Sequence, residues 1–174
     1  MHNADKIFLI GFMGSGKTTA GRRLASSLEW DFVDLDELIE KDKGMPVAEL
    51  FESFGEDWFR IVESETLRRT GELSNTVIST GGGTPCFFEN MNFMIRNGIT
   101  VYLRMTPENL ARRLSRESSG SPLLKGIAKK DLPQFIADKL SEREHWYSMA
   151  EIISDTAAEN FSHLLSLIKN RLSN

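Results

Sequence analysis

The nine residues "GFMGSGKTT", at positions 11–19, constrain this chain more than any others. They directly follow the apolar run Ile7-Phe8-Leu9-Ile10, and their spacing is G-x-x-x-x-G-K-S/T: Gly11, four residues, then Gly16-Lys17-Thr18. An ordinary tight turn between a strand and a helix is one reading, and a cradle for phosphate is the other. In such a cradle, glycines let the backbone curl until successive N–H groups point inward at an anion. The helix that starts at the loop adds the positive end of its dipole. A lysine reaches the β- and γ-phosphates, and a threonine hydroxyl is offered to Mg²⁺. The motif requires a strand before it and a helix after it. Lys6–Ile10 reads as a short buried strand, and Lys17–Leu28 carries Leu24 and Leu28 at helical spacing with no proline. Both contexts are present, which favours phosphate, with Gly14, Ser15, Gly16, Lys17, Thr18 and Thr19 as the nucleotide-binding residues.

The rest of the chain repeats this alternation. Strands are expected in "WDFVDLDE", "NTVIST", "ITVYLRM" and "EIIS". Helices are expected in "MPVAELFESFGEDWFRIVESETLRRT", in "FFENMNFMIRNG" up to Gly98, in "TPENLARRLSR", after Pro133, and in "NFSHLLSLIKNRL". Pro46 suits a first helical position and Gly55 the break between two helical pieces. Thr106 suits an N-cap with Pro107 behind it. "ESSGSPLLKG" has no periodicity and reads as a loop. Five strands alternating with helices predict an α/β fold, a three-layer α/β/α domain around a five-stranded parallel sheet. Ligands of such sheets bind outside the carboxyl ends of the strands. The glycine loop, Asp34 and Asp36, the glycines at 81, 82 and 83, and the residues after "EIIS" all fall there.

The bulk properties fit. The chain has 174 residues, the length of one domain, and is 40% hydrophobic and 26% charged. Its net charge of −4 argues against nucleic acid as a partner. No apolar run approaches the roughly 18 residues of a bilayer span, and "MHNADK" carries no signal-peptide core. A single cysteine, Cys86, excludes an internal disulfide, and the expected compartment is the cytoplasm.

Other residues carry chemistry less clearly on their own. In a strand, Asp34 and Asp36 of "DLD" would point the same way. One could then hold Mg²⁺ while the other accepts a hydrogen bond from a hydroxyl. Helix capping, with Asp36 before "ELIE", is an equally good reading of the tripeptide alone. The phosphate loop tips the balance, because phosphoryl transfer needs both a metal ligand and a group that orients the nucleophile. Arg60 and Glu63 share a helix face, which by itself describes a surface ion pair worth little. Phe51, Phe54, Trp58 and Phe59 read as core. Three consecutive glycines at 81–83 suggest that something approaches that backbone closely. Arg143, near Tyr147, is not selected by spacing. The three histidines, at 2, 145 and 163, lack metal-ligand spacing.

Taken in order, "GFMGSGKT", "DLD", "GEDWFR" followed by Glu63, "STGGG", "SPLLKG" and "REHWY" resemble the shikimate kinase family over nearly the whole chain. The resemblance implies a nucleoside-monophosphate-kinase-like P-loop fold. It implies transfer of the γ-phosphate of ATP to the 3-hydroxyl of shikimate, toward chorismate and the aromatic amino acids. By motif position, Lys17 would bind the β- and γ-phosphates, while Thr18 and Asp34 would hold Mg²⁺. Asp36 would bind the shikimate hydroxyl and orient or deprotonate it. Arg60 and Arg143 would pair with the shikimate carboxylate, Glu63 would support Arg60, and Gly81, Gly82 and Gly83 would line the ring. Residues 36–63 would form the substrate subdomain and residues 115–127 the lid, in a single domain acting as a monomer.

Two positions depart from the family pattern. The family usually carries arginine before "PLL", where this chain has Ser121. Arg116 is the expected catalytic substitute, with Lys125, Arg112 and Arg113 as further candidates. Ala157 and Ala158 stand where an adenine-loop arginine is often found. Other readings are a gluconate-kinase-like enzyme of the same fold, a nucleoside monophosphate kinase, a nucleotide switch or motor ATPase, and a nucleotide-binding regulator with impaired catalysis. No N-K-x-D guanine motif is present, a gluconate kinase should not require paired arginines for a ring carboxylate, and "DLD" with "FRxxE" suits a polyol acid better than a second nucleotide.

Overall fold

The computed structural model describes residues 5–116, 124–155 and 161–173. Among them the order is β1 (Lys6–Ile10), α1 (Lys17–Leu28), β2 (Asp31–Asp34), α2 (Leu35–Lys43), α3 (Val47–Phe54), α4 (Glu56–Arg69), β3 (Thr76–Ser79), α5 (Asn90–Asn97), β4 (Ile99–Arg104), α6 (Pro107–Arg116), α7 (Leu132–Tyr147), β5 (Ile152–Asp155) and α8 (Phe161–Leu172). The five strands form one sheet in the order β2-β3-β1-β4-β5, every pair parallel.

The side-chain period of two in a strand explains the three layers. On β1, Ile7 and Leu9 enter a core with Leu24 of α1 and Leu164 and Ile168 of α8. Their neighbours Phe8 and Ile10 enter the opposite core with Ile39, Phe59, Met94 and Tyr147. Both faces are covered, so the strand is apolar throughout, as a central parallel strand must be. Each such side chain contributes roughly 1.5–3 kcal/mol when fully buried. A third cluster, built on Phe12, Leu110, Leu114 and Ile136, seats α6 and α7 over the end of β1.

Register sets the site. Leu9 of β1 and Asp34 of β2 both lie level with Ser79 of β3. The segments leaving these three strands therefore emerge side by side at one edge of the sheet. That is where open α/β sheets bind ligands.

Several local expectations are met. β1 and α1 have the boundaries read from sequence. Gly55 ends α3, Gly98 ends α5, and the Asn109 amide donates to Thr106 Oγ1 at 3.3 Å, which makes Thr106 a cap of α6. Others are corrected. "DLDELIEKDK" does not stay extended through both acids: β2 stops at Asp34 and α2 begins at Leu35. Asp34, not Asp36, is the cap of that helix, accepting from the Asp36 and Glu37 amides. Pro46 sits at the N-cap rather than the first helical position, with an extended ψ of 147°. Phe87 and Phe88 precede α5 rather than opening it, and Phe88 adopts a left-handed φ of 48°.

Candidate functional site

The loop after β1 has the backbone that its glycines permit. Gly14 and Gly16 have φ of 78° and 90°, conformations in which a side chain is strained. Gly16 caps α1 without a side-chain hydrogen bond, and the first turn of α1 holds no acid. The helix's leading N–H groups are thus left for an external anion. Lys17 lies beneath the loop, where its Nζ donates to Gly11 O at 2.8 Å and Phe12 O at 2.9 Å. Burial pushes its ammonium down to about 8; Asp36 and Asp34 oppose this and Arg143 adds to it. The loop, Thr18, Thr19, Asp34 and Asp36 line a cleft of about 350 Å³ with Thr80, Gly81 and Arg113.

Asp34 ties this cleft together. Its Oδ2 accepts from Thr18 Oγ1 at 2.9 Å, while its Oδ1 caps α2 through the Asp36 amide at 3.0 Å. The capping holds the carboxylate in a fixed orientation beside the threonine hydroxyl. Asp36 lies two residues on, inside α2, and faces the same cleft. Burial, then the Glu63 and Asp34 carboxylates, push it up to about 7, with Lys17 pulling the other way. A carboxyl held near neutrality suits proton acceptance.

A second cleft, of about 440 Å³, lies on the other side of Asp36 and is lined by Phe51, Arg60, Glu63 and Arg143. The two clefts share Met13, Asp36, Gly81 and Gly82 as a common wall. Arg60 is buried, donating from Nη1 to Glu63 Oε2 at 2.9 Å and from Nη2 to Glu56 Oε1 at 3.0 Å. Glu63 is 0% exposed and also accepts from Thr84 Oγ1 at 2.6 Å. The pair is a buried network, not the surface ion pair that helical spacing alone describes. Arg143 is 8% exposed, its guanidinium 5.3 Å above the Phe12 ring, and its Nη1 has no hydrogen-bond partner among the described residues. A buried, unsatisfied guanidinium nitrogen is costly. Here it borders an open cleft.

The three glycines are explained by these arginines and by Glu63. A Cβ on Gly83 would lie 2.5 Å from Arg60 Nη2, and one on Gly81 would lie 2.7 Å from Glu63 Oε1. One on Gly82 would lie 3.3 Å from Arg143 Nη1. The backbone is bare so that charged groups can press against it.

Of the residues expected from sequence, Lys17, Thr18, Asp34, Asp36, Arg60, Arg143 and the glycines at 81, 82 and 83 meet in these two clefts. Gly14, Gly16 and Thr19 line the first, and Ser15 is buried in the loop with its Oγ unpartnered. Arg116, the last residue of α6, is exposed and lines neither cleft; the α6 cation that does is Arg113. Ser121, most of the expected lid, and Ala157 and Ala158 lie outside the described residues. Phe59 is core, but Phe51 and Phe59 also wall the second cleft, and Phe54 is 52% exposed. Tyr147 went unassigned in the sequence; its hydroxyl donates to Gly82 O at 2.5 Å. Its signal was the i, i+4 spacing from Arg143, which puts both on one face of α7. Among the described residues no group of three or more His, Cys, Asp or Glu could hold a metal by itself, and no helix is long and apolar enough to cross a membrane.

A parallel sheet in this order, with a glycine loop after its central strand and an acid at the end of the edge strand β2, defines a P-loop kinase of the nucleoside-monophosphate-kinase type. The shikimate kinase family model matches residues 13–172. A shikimate kinase of Parabacteroides distasonis is 43% identical over 150 residues, 86% of this chain and 87% of that protein. The crystal structure of shikimate kinase from Bacteroides thetaiotaomicron superposes with a TM-score of 0.88 at 39% identity, over 97% of this chain and 98% of that one. The Acinetobacter baumannii shikimate kinase in complex with shikimate gives 0.87 at 32% identity, over 98% and 93%. The chain belongs to the shikimate kinase family.

Proposed function

We infer that the chain transfers the γ-phosphate of ATP to the 3-hydroxyl of shikimate, giving shikimate 3-phosphate and ADP. The observation that carries this reading is the shared wall. Asp36 stands between a cleft built for phosphates and a cleft that offers two arginines. A small acid held by its carboxylate in the second cleft turns a ring hydroxyl toward the first.

In this reading Gly14, Ser15, Gly16, Lys17, Thr18 and Thr19 hold the nucleotide phosphates, and Lys17 leaves its loop carbonyls for the β- and γ-oxygens. Arg60 and Arg143 clamp the shikimate carboxylate, a group that guanidinium binds with two parallel hydrogen bonds. The unpartnered Arg143 Nη1 supports this, since a carboxylate would satisfy it. Glu63 and Tyr147 position the clamp and the Gly82 backbone. Asp36 orients the hydroxyl and takes its proton as the oxygen–phosphorus bond forms. Residues 36–63 serve as the substrate-binding part of a single kinase domain.

A P-loop kinase of this family uses ATP with Mg²⁺. The Thr18 hydroxyl and Asp34 carboxylate, already 2.9 Å apart, are hard oxygen donors of the kind Mg²⁺ takes. Two protein oxygens leave its other positions to phosphate and water, the usual division for this ion. When bound, it neutralises charge on the β- and γ-oxygens.

The test is product identity. Phosphorus and proton NMR of a reaction containing ATP, Mg²⁺ and shikimate should show one new phosphate ester coupled to the ring hydrogen at carbon 3. An ester elsewhere on the ring, or free phosphate alone, contradicts the reading.

A further inference from the structure

Among the described residues, three carboxylates line the second cleft: Asp36, Glu40 and Glu63. Two of them are accounted for. Glu63 commits both oxygens inside the protein, Oε2 to Arg60 and Oε1 to Thr84. Asp36 stands in the wall shared with the phosphate cleft. Glu40 lines the second cleft and not the first. It lies one turn beyond Asp36 on α2, at the i, i+4 spacing that puts both on one helix face.

The two oxygens of Glu40 differ in their surroundings. Oε1 accepts from the Val47 amide at 2.8 Å. Val47 opens α3, and Pro46 before it supplies no side-chain cap. Glu40 therefore satisfies one of the N–H groups that the start of a helix leaves without a partner. That bond fixes the carboxylate against α3, which brings Val47, Ala48 and Phe51 to the cleft. Oε2 has no hydrogen bond among the described residues, and the side chain is half-buried. Apart from the three acids and two arginines, the side chains around this cleft are apolar, Phe51 and Phe59 among them.

A ring acid with three hydroxyls needs such an oxygen. Its carboxylate goes to the arginines, and the hydroxyl to be phosphorylated goes to Asp36. Two hydroxyls are left, and a hydroxyl taken out of water without a partner is costly. Arginine only donates, so it cannot receive their protons. We propose that Glu40 accepts a hydrogen bond from a ring hydroxyl that is not phosphorylated, and thereby selects polyhydroxylated ring acids. The inference rests on the kinase reading above. The bond is charge-assisted, which places it among the stronger ones. A site built to hold a hydroxyl rejects the analogue lacking it far better than an apolar pocket rejects a missing methylene.

The experiment measures kcat/KM for shikimate, 4-deoxyshikimate and 5-deoxyshikimate with wild type, Glu40→Ala and Glu40→Gln. Both analogues keep the carboxylate and the 3-hydroxyl. In wild type, removing the held hydroxyl should lower kcat/KM by about tenfold or more. In Glu40→Ala that penalty should shrink to within about threefold, because the partner is already gone. A residue that only anchors α3 would lower all three substrates alike and leave both penalties as in wild type, and that result overturns the proposal. So does a wild type that turns over shikimate and both analogues equally well. Glu40→Gln keeps an acceptor for the Val47 amide, so it should melt as wild type does and show a penalty between the other two. If the alanine variant melts early, Glu40→Gln carries the test, and a penalty unchanged from wild type overturns the proposal. Wild type without shikimate-dependent turnover would instead remove the kinase reading itself.

Discussion

Thr18 and Asp34 are joined by a hydrogen bond of 2.9 Å that links the start of α1 to the end of β2. One carboxylate serves two ends: Oδ2 meets the threonine hydroxyl and Oδ1 caps α2. The proposed metal-binding role and the folding role of Asp34 can therefore be separated by substitution.

Asparagine caps helices about as well as aspartate, whereas alanine costs about 1 kcal/mol. Asp34→Asn should keep its melting temperature yet need about tenfold or more Mg²⁺ for half-maximal rate, since it loses the anionic ligand. Asp34→Ala should show the same metal defect and also melt about 2–4 °C lower. Melting curves and Mg²⁺ titrations of both variants check this.

The glycine run makes a sharper spatial statement. Gly83→Ala places a methyl 2.5 Å from Arg60 Nη2, whereas Gly82→Ala meets Arg143 Nη1 at 3.3 Å. Gly83→Ala should raise KM for shikimate by about tenfold or more, with KM for ATP nearly unchanged, because it displaces the proposed carboxylate clamp and not the phosphate loop. Gly82→Ala should give a smaller effect of the same kind. Steady-state kinetics with each substrate varied in turn decide it.

Much of this was legible in the sequence, and the boundary is physical. The phosphate loop is a local object: its glycines, lysine and threonine act within nine residues, so spacing alone specifies it. Strand ends could be aligned because a parallel sheet brings its carboxyl edges together. "DLD" was harder. Period two and helix capping compete for the same three residues, and the capping by Asp34 settles the choice in favour of a helix at Leu35. Nothing local says that Arg60 and Glu63 are buried; that follows from α4 packing beneath Phe87 and Thr84. Choosing among Arg112, Arg113 and Arg116 likewise needs the rotation of α6 about its axis, which Leu110 and Leu114 fix by entering the core.

Glu63 gives a stability prediction. Its carboxylate is fully buried and accepts from both Arg60 and Thr84. Glu63→Ala leaves a buried guanidinium with one fewer partner and should cost on the order of 3 kcal/mol, in the range for breaking a buried pair. Glu63→Gln keeps an acceptor and should cost less. Urea unfolding of the two variants gives the comparison.

Cys86 should be chemically quiet despite its place beside the arginine cleft. Burial pushes its thiol up to about 11, although Arg143 and Arg60 act to lower it. The thiolate is the reactive form, so alkylation by iodoacetamide should be slow at pH 8 and rise about tenfold per pH unit until near pH 11. Rapid labelling at neutral pH would contradict this environment.

The most direct measurement is the rate of ADP release by the wild-type chain with ATP and Mg²⁺, alone and with shikimate, gluconate or a nucleoside monophosphate. The arrangement of Asp36 between a phosphate cleft and two arginines predicts that shikimate raises the rate by a factor of about 100 or more over ATP alone, and that the other acceptors do not. Equal rates with and without shikimate, or a higher rate with gluconate, would contradict the account.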